Sequence, residues 1–281
     1  MVRPEAKSKG SPQVMAKQSK VKVMVLRTAG TNCNEEAAFA FRHFGAEVDQ
    51  VHINRLIKKE ISLHDYHILV VPGGFSYGDD IAAGRVLANE LRIYLARDLK
   101  RFIAEGKLII GICNGFQILV KTGFLPGPLK EDGDHQETTL MNNDSAKFED
   151  RWVRLKTGGH SPWTQGLPQV IHLPIAHGEG KFVTRDSAVL KRLKLNNQVA
   201  FHYCDASGNS GKYPVNPNGS LDDIAGITDP TGQILGLMPH PERFFYFTQS
   251  PSWTRTDKKS KYGDGAKIFE NGIEYVKKNL L

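Results

Sequence analysis

The sequence has few cysteines and no long apolar run. Only three cysteines occur among 281 residues, at positions 33, 113 and 204. They are too few and too scattered for a disulfide framework or a cysteine-rich zinc site. Because no run of roughly 18 apolar residues is present, no transmembrane helix is expected. An odd number of cysteines without a secretory signal is typical of a reducing cytoplasm, so we expect a cytoplasmic protein.

The positive charge is concentrated near the amino terminus. The formal net charge is +7, yet residues 1–22 hold six basic residues and a single acid, which leaves only +2 for the rest. This distribution favours a disordered basic leader over residues 1–20, followed by one domain over residues 21–281. We expect neither nucleic acid nor a membrane as a partner. No Gly-x4-Gly-Lys phosphate loop occurs, so this chain is not expected to bind ATP.

Apolar runs and helical patterns alternate through the first half of the chain. Strands are predicted at 21–27, 46–53, 68–72 and 107–112, and helices at 34–44, 85–104 and 114–121. The alternation predicts a three-layer α/β fold with a doubly wound, mostly parallel sheet. After residue 138 the runs become shorter and turn residues denser, which predicts a mixed-strand extension. A helix over 265–279 is predicted to close the chain.

Cys113 lies in the segment Gly-Ile-Cys-Asn-Gly, between the predicted strand 107–112 and the predicted helix 114–121. A nucleophile on a sharp strand-to-helix turn needs small neighbours, because the backbone there is crowded. The turn presents the thiol at the carboxyl end of the sheet. The positive end of the helix dipole favours the thiolate, and its N–H groups can stabilise an oxyanion. We predict a nucleophile; a buried structural cysteine is the alternative.

A thiolate that forms a thioester needs a group to take and return a proton. His240 follows the predicted strand 234–238 and is flanked by Pro239 and Pro241, which restrict the backbone around the ring. Glu242 is two residues further on and could orient the imidazole as the third member of a triad. His-Pro-Glu alone is a weak signal, since a solvated loop histidine beside a glutamate has the same pattern.

Other polar residues have simpler interpretations. Cys33 is a rival nucleophile, but it lacks the glycine-flanked turn, so a structural or partner-facing role is favoured. Cys204 ends an apolar strand and is interpreted as a core thiol. His177 and Glu179 could form a metal pair, but no further ligands stand at usable spacing, so no metal site is predicted. The acidic pair at 79–80 is typical of a helix start.

Together these motifs resemble the triad-type (class I) glutamine amidotransferases: Gly-x-Cys-x-Gly-x-Gln at 111–117, Pro-Gly-Gly at 72–74 and His-Pro-Glu at 240–242. More narrowly, the chain is similar to the glutaminase subunits of phosphoribosylformylglycinamidine synthase. That similarity also involves the segments at 30–33, 73–80, 176–180 and 238–243, and it covers nearly all of 21–281. It implies a single amidotransferase domain with a flavodoxin-like sheet. Ala29, Asn34 and Asp150 depart from the usual family residues.

The resemblance implies specific roles for the site residues. Cys113 is the nucleophile, His240 the general base and acid, and Glu242 its partner. The oxyanion hole corresponds to the backbone N–H groups of Gly74 and Asn114. The amino and carboxylate groups of the substrate are held by segments that match Gln117 and the turn formed by His177, Gly178 and Glu179.

The resemblance also implies partners. The substrate is L-glutamine, and the ammonia goes to a larger ATP-dependent synthetase subunit, often joined by a small bridging subunit. No cofactor is expected in this chain; ATP and Mg²⁺ belong to the synthetase. The alternatives are a glutaminase subunit of another amidotransferase, a cysteine peptidase, or a non-catalytic regulatory subunit.

Overall fold

The computed structural model describes residues 20–79, 81–127, 136–256 and 260–281. Apart from Lys20, the predicted leader lies outside these residues, so its disorder stays a prediction. Among the residues described, no helix combines the length and the apolar character needed to cross a membrane.

One large sheet runs through the described part of the chain. Its first five strands pair in parallel, in the order β2 (Glu47–His52), β1 (Lys22–Arg27), β3 (Ile68–Val71), β4 (Leu108–Ile112) and β11 (Ile234–Leu237). Antiparallel strands continue it, in the order β10 (Ile224–Thr228), β9 (Val199–Cys204), β6 (Glu149–Thr157) and β7 (Val170–His177). A separate antiparallel pair joins β5 (Thr138–Met141) and β8 (Lys181–Thr184). The predicted α/β class, with its mixed-strand extension, is confirmed.

The described residues form seven α-helices. They are α1 (Asn34–His43), α2 (Ile53–Ile57), α3 (Arg85–Tyr94), α4 (Ala96–Ala104), α5 (Asn114–Thr122), α6 (Ser187–Leu195) and α7 (Ala266–Asn279). Helix α1 packs against α7, where the rings of Phe41 and Phe269 meet edge to face at 5.1 Å. Helix α3 packs against α5. Helices α1 and α5 also contact the sheet directly, so each of these two is covered by a helix as well as by the sheet.

The prediction of one continuous helix over 85–104 is wrong. Helices α3 and α4 are separated at Leu95, whose φ of −123° and ψ of 3° leave the helical region. Leu95 still donates its N–H to Leu91, and Leu99 donates to Leu95, at 3.1 and 2.9 Å. The apolar spacing therefore continues across a one-residue break, and side-chain periodicity does not reveal the break. Strand β8 and helix α6 lie in a part of the sequence where no element was predicted.

The strand register brings the ends of three central strands together. Strands β3 and β4 are buried at every residue, as expected for parallel strands covered on both faces. Val71 pairs with Gly111, and Ile112 pairs with Leu237. The segments that follow β3, β4 and β11 therefore leave the sheet at the same edge, where open α/β sheets place their ligand sites.

Candidate active site

Cys113 occupies a strained turn between β4 and α5. Its φ of 52° and ψ of −107° lie outside the regions that L-residues favour, at a cost of about 1–3 kcal/mol. The flanking glycines leave no room for side chains. A Cβ on Gly111 would lie 2.5 Å from Leu119 Cδ1, and one on Gly115 would lie 1.8 Å from the carbonyl oxygen of Val71. The structure thus gives the steric reason for the Gly-Ile-Cys-Asn-Gly pattern.

His240 and Glu242 form a tightly buried pair. The Nδ1 atom of His240 lies 2.5 Å from Oε1 of Glu242, and the two side chains are 2% and 0% exposed. The backbone N–H of His240 donates to the carbonyl of Pro174 on β7 at 2.8 Å, which fixes the loop after β11 against the sheet extension. The Nε2 atom of His240 has no hydrogen-bond partner within the described residues. One ring nitrogen is therefore held by a carboxylate while the other remains available.

Two opposing effects set the protonation of His240. Burial acts to lower its pKa, but the charges of Glu242 and Cys113 outweigh burial and raise that pKa well above its ordinary value. A buried ring with a carboxylate on one side and a thiol on the other is thereby favoured as the imidazolium. The arrangement can hold a proton ready for a leaving group and stabilise a thiolate.

The predicted oxyanion donors belong to two segments that hydrogen bonds connect. The side-chain oxygen of Asn114 accepts from the backbone N–H of Ser76 at 3.3 Å, and its amide donates to Asp79 at 3.2 Å. Gly74 has a φ of +138°, and a Cβ there would lie 2.7 Å from the backbone nitrogen of Asn32. Only glycine therefore fits at the predicted oxyanion position. These hydrogen bonds connect the loop after β3 to Asn114, the first residue of α5, which directly follows Cys113.

The segment after β7 forms another side of the site. Gln117 donates from Nε2 to the backbone carbonyl of Glu179 at 2.6 Å, and Cys113 Sγ lies 3.7 Å from the carbonyl oxygen of Ala176. His177 pairs through Nδ1 with Asn143 Oδ1 at 3.1 Å. Burial lowers the pKa of His177 to about 3, and the charge of His240 acts in the same direction. His177 is therefore a neutral ring that fixes this turn.

A cleft of about 370 Å³ brings most of these residues together, a size in the range of small-ligand sites. It is lined by seven of the residues singled out from the sequence: Gly74, Cys113, Gln117, His177, Gly178, Glu179 and His240. Glu242 lies behind His240, and Asn114 lies at the start of α5 beneath Cys113. The chain therefore assembles a thiol, an imidazole and a carboxylate at the carboxyl edge of the parallel strands.

Sequence reasoning did not place Cys33 and Arg243 in this site. Both line the cleft, and Arg243 donates from Nη2 to Cys33 Sγ at 3.0 Å. Each belongs to a motif quoted for the resemblance, but nothing in the sequence indicated that the two motifs meet. Cys204 is buried in β9, in agreement with a core thiol. Asp79 accepts from the backbone N–H of Gly84 immediately before α3, as a helix-start acid does; residue 80 lies outside the described residues.

Comparison with known proteins gives a consistent assignment. Residues 20–276 match the CobB/CobQ-like glutamine amidotransferase domain. The chain is 49% identical over 261 residues to phosphoribosylformylglycinamidine synthase subunit PurQ of Dehalococcoides mccartyi, covering 92% of this chain and 99% of that protein. It is 44% identical over 269 residues to the PurQ subunit of Methanococcus maripaludis, covering 92% and 98%.

A solved structure supports the same assignment. A chain in the structure of PurLQS from Thermotoga maritima is 31% identical to this one and superimposes with a TM-score of 0.68. The match covers 92% of this chain and all of that one. The chain belongs to the CobB/CobQ-like glutamine amidotransferase family, and within it to the PurQ subunits of phosphoribosylformylglycinamidine synthase.

Proposed function

We propose that this chain hydrolyses L-glutamine and supplies the ammonia to an ATP-dependent synthetase that makes phosphoribosylformylglycinamidine in de novo purine biosynthesis. The PurQ relatives support this assignment. The observation that carries it is the cleft lined by both Cys113 and His240, with Glu242 2.5 Å behind the ring of His240. We further infer that residues 21–281 act as one domain.

The first half of the reaction forms a thioester. The Cys113 thiolate attacks the carboxamide carbon of glutamine, and the backbone N–H groups of Gly74 and Asn114 stabilise the oxyanion. The C–N bond then breaks, and His240 gives its proton to the leaving nitrogen, which departs as ammonia. Glu242 keeps the imidazolium oriented and compensates its charge.

The second half releases glutamate. Water attacks the thioester carbon, and the now neutral His240 takes its proton. Collapse of the tetrahedral intermediate frees the Cys113 thiolate and leaves His240 protonated for the next cycle. Gln117 and the turn at 177–179 hold the amino and carboxylate groups of the substrate. The carboxylate of Glu179 in the cleft wall suits an ammonium group.

This chemistry needs no cofactor in this chain. Proton transfer and nucleophilic attack are both supplied by side chains, so we place ATP and Mg²⁺ on the synthetase subunit. Cys33, Cys113 and Cys204 are all free thiols, which suits the reducing cytoplasm that we infer as the location of the protein.

The mouth of the cleft suits a protein partner. Phe75 and Phe148 line the cleft and are 48% and 55% exposed. Exposed aromatic side chains at the exit of a site are typical of an interface, and ammonia that leaves this mouth must reach a second enzyme. We infer that the larger synthetase subunit covers this rim, joined by a small bridging subunit. Its docking would order the loop at 73–80 and raise the glutaminase rate above that of the free chain.

The test is to assay Cys113→Ala with the synthetase and the small subunit. Ammonia release from glutamine should disappear, while added ammonium should still support synthesis of the amidine. Cys204→Ala, which removes a buried thiol away from the cleft, is the matched control and should keep both activities. Glutaminase activity that survives in Cys113→Ala would refute the proposal. Rapid thioester formation by the wild-type chain with peptides, and not with glutamine, would also refute it.

A further inference from the structure

Cys33 is a buried thiol that the thioester chemistry does not use. It precedes α1 at its N-cap position, is 1% exposed, and lines the same cleft as His240. One ligand atom each from Cys33, His240 and Glu242 lie within 4.8 Å of one another. A thiolate, an imidazole and a carboxylate are the donors that zinc binds.

We propose that Cys33, His240 and Glu242 form an inhibitory binding site for a divalent cation of the zinc class. The site has unused donor capacity, because Glu242 Oε2 is buried without a hydrogen-bond partner in the described part of the chain. The ring nitrogen that can join it is Nδ1 of His240, which faces Glu242. Buried polar atoms without partners are unusual, so they mark a place that an ion can satisfy. This inference goes beyond the proposed function, which requires no metal.

The geometry fits an ion after small movements. Zinc binds sulfur at about 2.3 Å and nitrogen or oxygen at about 2.0–2.2 Å, so its tetrahedral ligands stand roughly 3.3–3.6 Å apart. His240 Nδ1 and Glu242 Oε1, now 2.5 Å apart, would have to separate by about 1 Å. Ligand atoms that lie as far apart as 4.8 Å would have to approach one another by about 1 Å. Side-chain rotation covers such distances. Three protein ligands leave a fourth position for water from the cleft.

The local charges act in both directions. The guanidinium of Arg243, which donates to Cys33 Sγ at 3.0 Å, repels a cation, whereas the carboxylate of Glu242 attracts one. In the metal-bound state the Cys33 thiolate and the Glu242 carboxylate supply two negative charges against the one positive charge of Arg243. Binding displaces two protons, the thiol proton of Cys33 and the proton on Nδ1 of His240 that is shared with Glu242. The ion therefore removes the general acid and base and stops turnover.

Cobalt(II) is the probe, because a thiolate ligand gives it an intense charge-transfer absorption band. One equivalent of cobalt should produce this band in the wild-type chain, in Cys113→Ser and in Cys204→Ser. The band should be absent in Cys33→Ser. Glu242→Gln, which alters neither thiol, should weaken cobalt binding by about tenfold or more. A band that persists in Cys33→Ser, or one that disappears in Cys113→Ser, would overturn the assignment.

Inhibition gives an independent readout. The zinc concentration that halves glutaminase activity should be about tenfold higher or more in Cys33→Ser than in wild type or Cys204→Ser, with each rate normalised to that variant's metal-free rate. An unchanged concentration contradicts the proposal. Cobalt binding is measured without glutamine, so its failure would leave the proposed function intact. Conversely, if the chain proved not to hydrolyse glutamine, the cobalt measurement would still show whether the metal site exists.

Discussion

Replacing Glu242 with glutamine removes one negative charge from the buried pair and keeps nearly the same side-chain volume. The amide oxygen can still accept from Nδ1 of His240, so the tautomer and the ring orientation are retained. What is lost is the charge that stabilises the imidazolium. Because Glu242 contributes to the raised pKa of His240, the substitution should lower that pKa.

The size of the effect follows from the burial of the pair. A hydrogen bond to a charged group contributes about 1.5–3 kcal/mol, and neither side chain here is solvated enough to screen it. If the transition state for ammonia release loses that stabilisation, kcat falls by about 10- to 150-fold. The KM for glutamine should change little, because Glu242 is absent from the cleft wall.

The assay is steady-state ammonia release across pH. The alkaline limb of the kcat profile reports loss of the His240 proton, so in Glu242→Gln it should move to lower pH. Glu274→Gln, which changes an exposed carboxylate on α7, is the control and should match wild type. If Glu242→Gln retained wild-type kcat with an unmoved alkaline limb, the proposed role of the pair would be refuted.

Three further predictions test other parts of the structure. In Gly73→Ala the new methyl would lie 2.9 Å from His240 Cε1, so kcat should fall about tenfold or more while the melting temperature changes little; an unchanged kcat would contradict the close contact. Phe148→Ser should weaken binding of the synthetase about 5- to 30-fold by calorimetry, and Tyr94→Ser, equally exposed but outside the cleft, should not. Phe41→Ala should cost about 3–5 kcal/mol in urea unfolding, since its ring is fully buried; equal losses in Phe41→Ala and the half-exposed Phe39→Ala would refute that packing.

Local features were the predictable part of this molecule. The buried strands β3 and β4 were evident from short apolar runs bounded by turn residues, and the turn at Cys113 from its flanking glycines. These features depend on residues that are close in sequence. The break at Leu95 escaped prediction because hydrogen bonds and apolar spacing continue across it.

The composition of the cleft depended on contacts that no local pattern encodes. Arg243 and Cys33 are 210 residues apart in sequence, and they meet because Cys33 follows β1 and Arg243 follows β11, two strands of the same parallel set in the sheet. The neutral state of His177 likewise results from its burial and from the charge of His240, and its ring is paired with Asn143 from the loop after β5. The resemblance identified the motifs, and only the fold shows which of them contact one another.

The most direct measurement is rapid quenching of glutamine turnover followed by peptide mass spectrometry. We predict one glutamyl group in thioester linkage on the peptide that contains Cys113, and none on the peptide that contains Cys33. A glutamyl group on Cys33, or turnover without any acyl-enzyme, would contradict the account.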